Sequence, residues 1–361
     1  MRVFINGRFL TQRVTGVQRY AHEILRALDG LVAEANAGSS PGWNVELLVP
    51  PGTPVPPLRA IVAREVGRGG GQLWEQLLLP LYARKGVLLG FAATGPLLAR
   101  KQVVTVHDAS VFAVPSAFSW KFRAWYKLLL PYMVHRNRRT MTVSHFSKDE
   151  LVRYLRARPE KLRVSGEGWQ HVAEAQPDEG IIERHGLGSG GYILAVSSIS
   201  EHKNFAIVAK ALERLRGQGE VKVVVAGAAD DRIFGADRPE VAGQLEYLGY
   251  VTDGELRALY EHAAAFVYPS RYEGFGLPPL EAMALGCPVI CSDAASMPEV
   301  CQDAVLYFRP DDDVRLAELM LRMVREPGTR EAMKERARMV LEHHSWQAAA
   351  GKHLELLREL T

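Results

Sequence analysis

Two glutamates, Glu273 and Glu281, are the residues of this 361-residue sequence whose type and spacing best indicate a binding site. Gly274 and Gly276 follow the first and let the backbone approach a ligand closely, and Pro278-Pro279 suits the first turn of a helix. Glu281 then lies inside that helix, whose free N–H groups and positive dipole end favour a diphosphate. Helical spacing would place the two carboxylates within about a quarter-turn of each other, where they could accept sugar and ribose hydroxyls. The alternative is two solvated acids around a helix start.

A strand–helix–strand unit is predicted to position these acids. The apolar run 264–268 indicates a buried strand, and residues 289–291 begin the next one. Between them, the predicted helix continues through 280–285 and ends at Gly286. Two parallel strands joined by a helix form a βαβ unit, so the sequence predicts an α/β fold.

Three further positions are candidates because they lie where strands end and helices begin. Lys203 precedes a predicted helix at 205–215 and can neutralise phosphate charge. His107 follows the apolar run 103–106, at the strand end where open α/β sheets bind ligands, and the Asp108 after it favours a functional role. Gly16 lies between a predicted strand at 2–5 and a helix at 17–28, and a helix cap is the alternative for it.

The stretch around the two glutamates resembles the signature of the retaining GT-B glycosyltransferases of family 4, the group 1 glycosyltransferases. The matching segments are Tyr268-Pro-Ser, Glu273-Gly-Phe-Gly-Leu-Pro-Pro-Leu-Glu281 and Ser296-Met-Pro-Glu-Val300. The resemblance covers nearly the whole chain and implies two Rossmann-like domains facing across a cleft. It implies an acceptor domain at 1–172 and a donor domain at 191–344, with a C-terminal helix at 345–361 packing back on the first domain. The acidic and then glycine-rich composition of 173–190 predicts the linker between them.

The resemblance also implies roles for individual residues. It makes Glu273, His107 and Lys203 the catalytic residues, with His107 meeting the donor sugar, and it places Gly16 in a loop facing the donor phosphate and the acceptor. The donor-binding set that it implies is Lys203, Asn204, Tyr250, Val251, Gly274, Phe275, Gly276, Leu277 and Glu281. The family often carries an arginine shortly before the lysine, where this sequence has Ser197 and Ser198. That departure leaves one phosphate contact unassigned, for which Arg271 or a residue of the other domain is a candidate.

The implied reaction is the transfer of a hexose from a nucleotide-sugar to a hydroxyl of a free or lipid-linked saccharide, with retention of anomeric configuration. The resemblance favours GDP-mannose and bacterial surface polysaccharide synthesis, with UDP- and dTDP-sugars as the alternatives. A GT-B phosphorylase would need a much longer chain with a pyridoxal-binding lysine. A nucleotide-sugar epimerase and a non-catalytic nucleotide-sugar-binding protein remain as rivals.

Composition excludes several other classes. The first loop lacks the G-x-G-x-x-G fingerprint, which argues against an NAD(P) or FAD enzyme. Three cysteines without a C-x-x-C pair suit a reducing cytosol, and no apolar run is long enough to span a membrane. Asp311-Asp-Asp313 precedes a predicted helix, so a charged helix start is favoured over a metal site. We therefore expect a cytoplasmic protein without an obligatory metal or other cofactor.

Charge is unevenly distributed along the chain. Residues 1–173 carry 24 Lys and Arg against 11 Asp and Glu, a net charge of +13, whereas the rest of the chain has a net charge of −10. A basic half indicates an anionic partner, either nucleic acid or anionic lipid. The predicted helix at 119–133 interleaves Trp120 and Trp125 with Lys121 and Lys127, as membrane-surface helices do, although a core helix with a basic face would look the same. Together with the resemblance, this pattern favours a peripheral position on the inner membrane face and no nucleic acid.

Overall fold

Two parallel sheets organise the chain, as seen in a computed structural model that describes residues 2–38, 42–99, 101–197, 200–216, 221–227 and 244–360. The chain divides into two units, Met1–Gly168 with Ser345–Thr361, and Trp169–His344. Each unit contains one of the sheets, with helices between its strands. The predicted α/β class is confirmed.

The first unit holds seven parallel strands in the order β3-β2-β1-β4-β5-β6-β7. Short apolar runs form its central strands, as buried parallel strands require. The strand order reverses between β1 and β4, which pair through Phe4 and Leu88. The strands are β1 Arg2–Asn6, β2 Asn44–Val49, β3 Val62–Glu65, β4 Val87–Gly90, β5 Gln102–Thr105, β6 Arg139–Thr142 and β7 Leu162–Val164. Strand β3 was not predicted, because its four residues are exposed and lack an apolar pattern.

The helices of the first unit include the C-terminal helix. Its Trp346 ring contacts the ring of Tyr20 with 5.9 Å between centroids. The helices are α1 Gly16–Ala37, α2 Gly71–Leu73, α3 Leu79–Ala83, α4 Ser110–Ala113, α5 Trp120–Arg136, α6 His145–Leu155 and α15 Trp346–Glu359, with a π-helical turn Trp74–Leu78 joining α2 to α3. Ser144 caps α6 by accepting a hydrogen bond from the Ser147 amide.

The second unit holds six strands in the order β10-β9-β8-β11-β12-β13, with the reversal between β8 and β11. The strands are β8 Tyr192–Ser197, β9 Lys222–Gly227, β10 Leu245–Gly249, β11 Ala265–Tyr268, β12 Val289–Ser292 and β13 Leu306–Phe308. The helices are α7 Gln170–Glu174, α8 Gly180–Arg184, α9 Ala206–Arg214, α10 Asp253–His262, α11 Leu277–Ala284, α12 Met297–Cys301, α13 Asp313–Arg325 and α14 Pro327–Leu341.

One sequence expectation differs from the structure in this unit. The range 173–190, predicted as a linker from its acidic and glycine-rich composition, lies inside the second unit and contains α8 and the end of α7. Helix α11 begins at Leu277, and Pro278 and Pro279 lie in its first turn, as predicted. Asp312 caps α13 by accepting a hydrogen bond from the Arg315 amide, as expected of a charged helix start.

Candidate functional site

The carboxyl ends of β8 and β11, where the strand order of the second sheet reverses, carry most of the predicted site residues. Open α/β sheets bind ligands at such reversals. The loop after β8 leads to Lys203 at the end of the 3-10 turn Glu201–Lys203. The loop after β11 contains Glu273 and leads into α11. The backbone N–H of Arg271 donates to the carbonyl of His202 over 2.8 Å and ties the two loops together.

Lys203 and Glu273 form the charged centre of this site. Lys203 Nζ donates to Glu273 Oε1 over 2.7 Å and to the Tyr268 hydroxyl over 3.2 Å. The side chains are only 21% and 14% exposed. Burial alone would raise the pKa of the Glu273 carboxyl, but the Lys203 ammonium outweighs it and holds that pKa below its usual value. The site therefore holds an ionised carboxylate beside a cation at neutral pH.

The glycine loop after Glu273 is fixed from behind by Ser296. The Ser296 hydroxyl approaches the carbonyl oxygens of Glu273 at 3.0 Å and of Phe275 at 2.8 Å and can donate to either. Gly276 has φ +104°, which favours glycine, and a Cβ there would collide with the side chain of Met297. The sequence predicted that Gly276 belongs to this loop. It did not predict that Ser296 holds the loop, although Ser296 lies within a segment that resembles the family signature.

Asn204 has a different environment from the one that the resemblance implies. It adopts the left-handed conformation with φ +58°, and its side-chain amide donates to the carbonyls of Pro269 at 3.1 Å and Pro310 at 2.8 Å. Both amide hydrogens are thus used to hold the turn that carries Lys203. Of the residues discussed for the missing phosphate contact, Arg271 is exposed next to the loop, the Ser197 backbone ends β8, and Ser198 lies outside the described residues.

Glu281 lies in α11 and contacts His171, whereas Glu273 contacts Lys203. Its Oε1 is 2.9 Å from His171 Nε2. The helical step used to relate the two glutamates does not apply, because Glu273 lies four residues before the helix begins. Gly274, Phe275 and Leu277 are buried parts of the same loop and helix start.

Tyr250 and Val251 follow the edge strand β10. Tyr250 is exposed, and Thr252, the residue after Val251, caps α10 in a capping box with Glu255. The structure thus places both residues at the carboxyl end of a strand, on the same edge of the sheet as the Lys203 loop.

In the first unit, His107 lies just beyond the end of β5, as predicted. Its Nε2 is 2.8 Å from the carbonyl oxygen of Phe91, which can only accept, so Nε2 carries the hydrogen and Nδ1 has a lone pair. Nδ1 is 3.9 Å from the carboxylate of Glu167, and the ring meets Tyr20 edge-on at 4.7 Å. Burial lowers the pKa of His107, which keeps the imidazole neutral at neutral pH.

Gly16 is the first residue of α1, and Thr15 is the cap, so the cap alternative for Gly16 is wrong. Sequence reasoning also missed a buried charged cluster at the reversal between β1 and β4. There Glu75 accepts from Asn6 over 2.6 Å and forms an ion pair with Arg8 at 3.1 Å. A lone acid within the leucine-rich segment 73–81 is the signal that could have indicated it.

Metal ligands and membrane spans were searched for in the described ranges. Within them, no group of three or more His, Cys, Asp or Glu side chains is arranged to hold a metal ion. Over the same ranges, no helix is both long and apolar enough to cross a bilayer.

Comparison with known proteins identifies relatives of this chain. Residues 179–340 match the family model described as glycosyl transferases group 1. O-antigen chain mannosyltransferase B of Escherichia coli is 31% identical over 259 residues, covering 68% of this chain and 67% of that protein. O-antigen chain mannosyltransferase RfbU of Salmonella typhimurium is 33% identical over 223 residues, covering 61% of this chain and 60% of that protein.

Solved structures match over both units. Sucrose-phosphate synthase from Thermosynechococcus elongatus aligns with a TM-score of 0.74 at 18% identity and covers 99% of this chain and 98% of its own. WaaG, a glycosyltransferase involved in lipopolysaccharide biosynthesis, gives 0.69 at 16% identity with 99% of both chains covered. HepE of Anabaena, solved with UDP-glucose, gives 0.71 at 14% identity, again over 99% of both chains. The GT-B fold expected from the sequence is confirmed.

Proposed function

Because the chain belongs to the group 1 glycosyl transferases, we propose that it transfers a hexose from a nucleotide-sugar to a saccharide hydroxyl with retention of configuration. The observation that carries this proposal is the Lys203–Glu273 pair at the strand reversal of the second sheet, next to the start of α11. It combines a cation, a carboxylate and the positive end of a helix dipole at one edge of the sheet. A departing diphosphate and a sugar need these three features.

Each group has a defined task in the proposed reaction. Lys203, the Leu277 N–H and the positive dipole end of α11 stabilise the charge that develops on the leaving diphosphate, which is electrostatic catalysis. The ionised Glu273 orients the sugar and favours positive charge at its anomeric carbon. Burial raises the pKa of the Cys291 thiol, so this nearby sulfur is not a nucleophile at neutral pH. We therefore propose attack from the face of the leaving group, assisted by its own oxygen, with His107 contacting the sugar.

The donor that we propose is GDP-mannose, because the relatives with about one third identity are named mannosyltransferases. UDP-glucose is the alternative, since a protein of the same fold was solved with it. Thermal-shift measurements with GDP, UDP and dTDP separate these donors. The proposal expects the largest rise in melting temperature with GDP, and a response to UDP or dTDP alone would overturn the assignment.

The acceptor that we propose is a growing surface polysaccharide, since both relatives are named for O-antigen chains. The matched region spans 67% of the first relative and 60% of the second, so the acceptor of those proteins is carried over as part of the proposal. We propose that this acceptor is lipid-linked, which would connect it to the membrane.

We also propose that the protein attaches peripherally to the cytoplasmic face of an anionic membrane. Helix α5 has features of both a core helix and a membrane-surface helix. Trp125 and Tyr126 pack against the core, whereas Trp120 and Leu128 are exposed. Leu73, Leu77 and Leu81, on α2, the π-helical turn and α3, are exposed as well. Residues 66–148 carry twelve Lys and Arg but only two acids, Glu75 and Asp108, and Glu75 is buried.

The segment that carries the exposed leucines and helix α5 both form hydrogen bonds with Leu97, which supports a single membrane-binding face. The Leu97 amide donates to Gln76 Oε1 over 3.0 Å, and its carbonyl accepts from the Tyr132 hydroxyl of α5 over 2.7 Å. Exposed apolar side chains among cations suit an anionic bilayer, where each basic residue near the surface contributes about 1 kcal/mol.

Vesicle sedimentation tests this attachment. Binding should require anionic lipid, weaken with salt and fall in both Leu77→Glu/Leu81→Glu and Lys121→Glu/Lys127→Glu. Met339→Glu changes an exposed apolar residue of the second unit and serves as the control. Absence of binding at low salt would contradict the attachment and leave the transferase proposal intact.

A further inference from the structure

His171 contacts the carboxylate that the proposed function assigns to the ribose. The distance from His171 Nε2 to Glu281 Oε1 is 2.9 Å, and the side chains are 7% and 13% exposed. A carboxylate has no hydrogen to donate, so this contact is a hydrogen bond in which His171 Nε2 carries the hydrogen. The imidazole therefore donates through Nε2 to one carboxylate oxygen of Glu281.

This contact restricts the Glu281 side chain. A free glutamate loses rotamer entropy when it orders against a ligand, and a carboxylate already held in place avoids part of that cost. One oxygen is engaged by His171, so the second oxygen is the atom available to accept ribose hydroxyls. His171 thus fixes both the direction and the free acceptor of the ribose-binding carboxylate.

Hydrogen bonds hold the two residues that precede His171. Trp169 Nε1 donates to the carbonyl of Leu341 over 3.1 Å, and Gln170 Nε2 donates to the carbonyl of His344 over 3.1 Å. These bonds join the start of the second unit to its end. They anchor α7 at two points just before His171 and limit how far its imidazole can move from Glu281.

His344, whose carbonyl accepts the bond from Gln170, also contacts the glycine loop. The ring of His344 meets the ring of Phe275 edge-on, with 5.6 Å between centroids. Phe275 is buried, and its carbonyl accepts from Ser296. The chain where it enters the second unit and the chain where it leaves therefore support two parts of the proposed donor site, Glu281 and the loop at Phe275.

We infer that His171 is a positioning residue of the donor site, which holds the Glu281 carboxylate in the orientation that binds the ribose hydroxyls of the nucleotide. This inference rests on the proposed function, because it takes the ligand of Glu281 to be a ribose. It assigns to His171 a contribution to nucleotide affinity that depends on the presence of the 2′- and 3′-hydroxyls.

The test compares two nucleotides by isothermal titration of the full chain, GDP and 2′,3′-dideoxy-GDP. Wild type should bind GDP more tightly than the dideoxy analogue. In His171→Ala, GDP affinity should fall about tenfold while the affinity for the dideoxy analogue stays nearly constant. His171→Gln retains an N–H donor at the matching position and should restore most of the difference. His262→Ala removes a histidine that pairs with Glu179 at 2.9 Å elsewhere in the same unit, and should change neither affinity.

The outcomes separate the inference from the function. If wild type discriminates and His171→Ala discriminates equally, or if His171→Ala loses affinity for both nucleotides alike, the positioning role is overturned and the donor site stands. If wild type binds GDP and its dideoxy analogue equally, the ribose role of Glu281 fails, and the inference fails with it. Should His171→Ala melt too early for titration, His171→Gln decides, because normal discrimination in that variant supports the N–H donor and its loss contradicts it.

Discussion

Replacing Lys203 by methionine should destabilise the second unit in a manner that depends on pH. Methionine retains the apolar length of the lysine but removes the charge that holds Glu273 ionised. Burial, the largest influence on the pKa of this carboxyl, is then opposed only by Ser270 and Tyr268, and we expect the pKa to rise. Glu273 then remains either a buried carboxylate without its cation or a carboxyl that must take up a proton to fold.

The magnitude follows from the burial of the pair. Breaking a buried ion pair by removing one partner costs about 3–5 kcal/mol, and the residual exposure of 21% and 14% favours the lower end. For a unit of this size, about 3 kcal/mol corresponds to a fall in melting temperature of about 6–12 °C. The loss should be largest at pH 7. It should shrink as the pH falls towards 4, because the variant's raised carboxyl pKa lets Glu273 fold in its neutral form.

Calorimetry of wild type, Lys203→Met, Glu273→Gln and the double variant between pH 4 and 8 measures this effect. The double variant leaves no isolated charge and should recover most of the lost stability while still failing to bind nucleotide. A Lys203→Met variant whose melting temperature differs from wild type equally at pH 4 and pH 7, or a double variant no more stable than the single one, would refute this account of the pair.

Three further results are expected. Ser296→Ala removes the hydroxyl between two loop carbonyls and should cost about 1–3 kcal/mol and several-fold in nucleotide affinity; unchanged titration curves would contradict this. Burial lowers the pKa of His353 to about 4 from 6.5, so between these values the unfolded chain binds the extra proton and stability should fall by up to about 1.4 kcal/mol per pH unit on acidification. His353→Gln should reduce that slope in urea unfolding, and an identical slope would refute the assignment. Transfer should persist in EDTA, and complete loss restored by Mg²⁺ or Mn²⁺ would show a metal requirement.

The sequence predicts the strands and the glycine loop well because their signals are local. The apolar run before Glu273, the two glycines and the paired prolines each specify a backbone state within a few residues. The same holds for β5, whose end places His107 at the edge of the sheet. Apolar runs of this kind specify buried parallel strands whatever the rest of the chain does.

Contacts between distant segments could not be predicted in this way. Ser296 binds the loop from 23 positions away, and His171 meets Glu281 from 110 positions away, so only the folded unit brings them together. Asn204 shows the same limit, since its side chain is used by Pro269 and Pro310 and its pattern in the sequence does not reveal that use. The exposed leucines of α2 and α3 fit a buried helical pattern equally well, and only the structure shows that they face outward.

Transfer of radioactive mannose from GDP-mannose tests the central claim most directly. Purified protein is incubated with membranes that carry lipid-linked saccharides, and label in the lipid-extractable fraction is counted for wild type, Lys203→Ala and His262→Ala. The account predicts incorporation by wild type and by His262→Ala, and its loss in Lys203→Ala. Incorporation by Lys203→Ala at the wild-type rate, or no transfer by wild type from GDP-mannose, UDP-glucose or a dTDP-sugar, would contradict it.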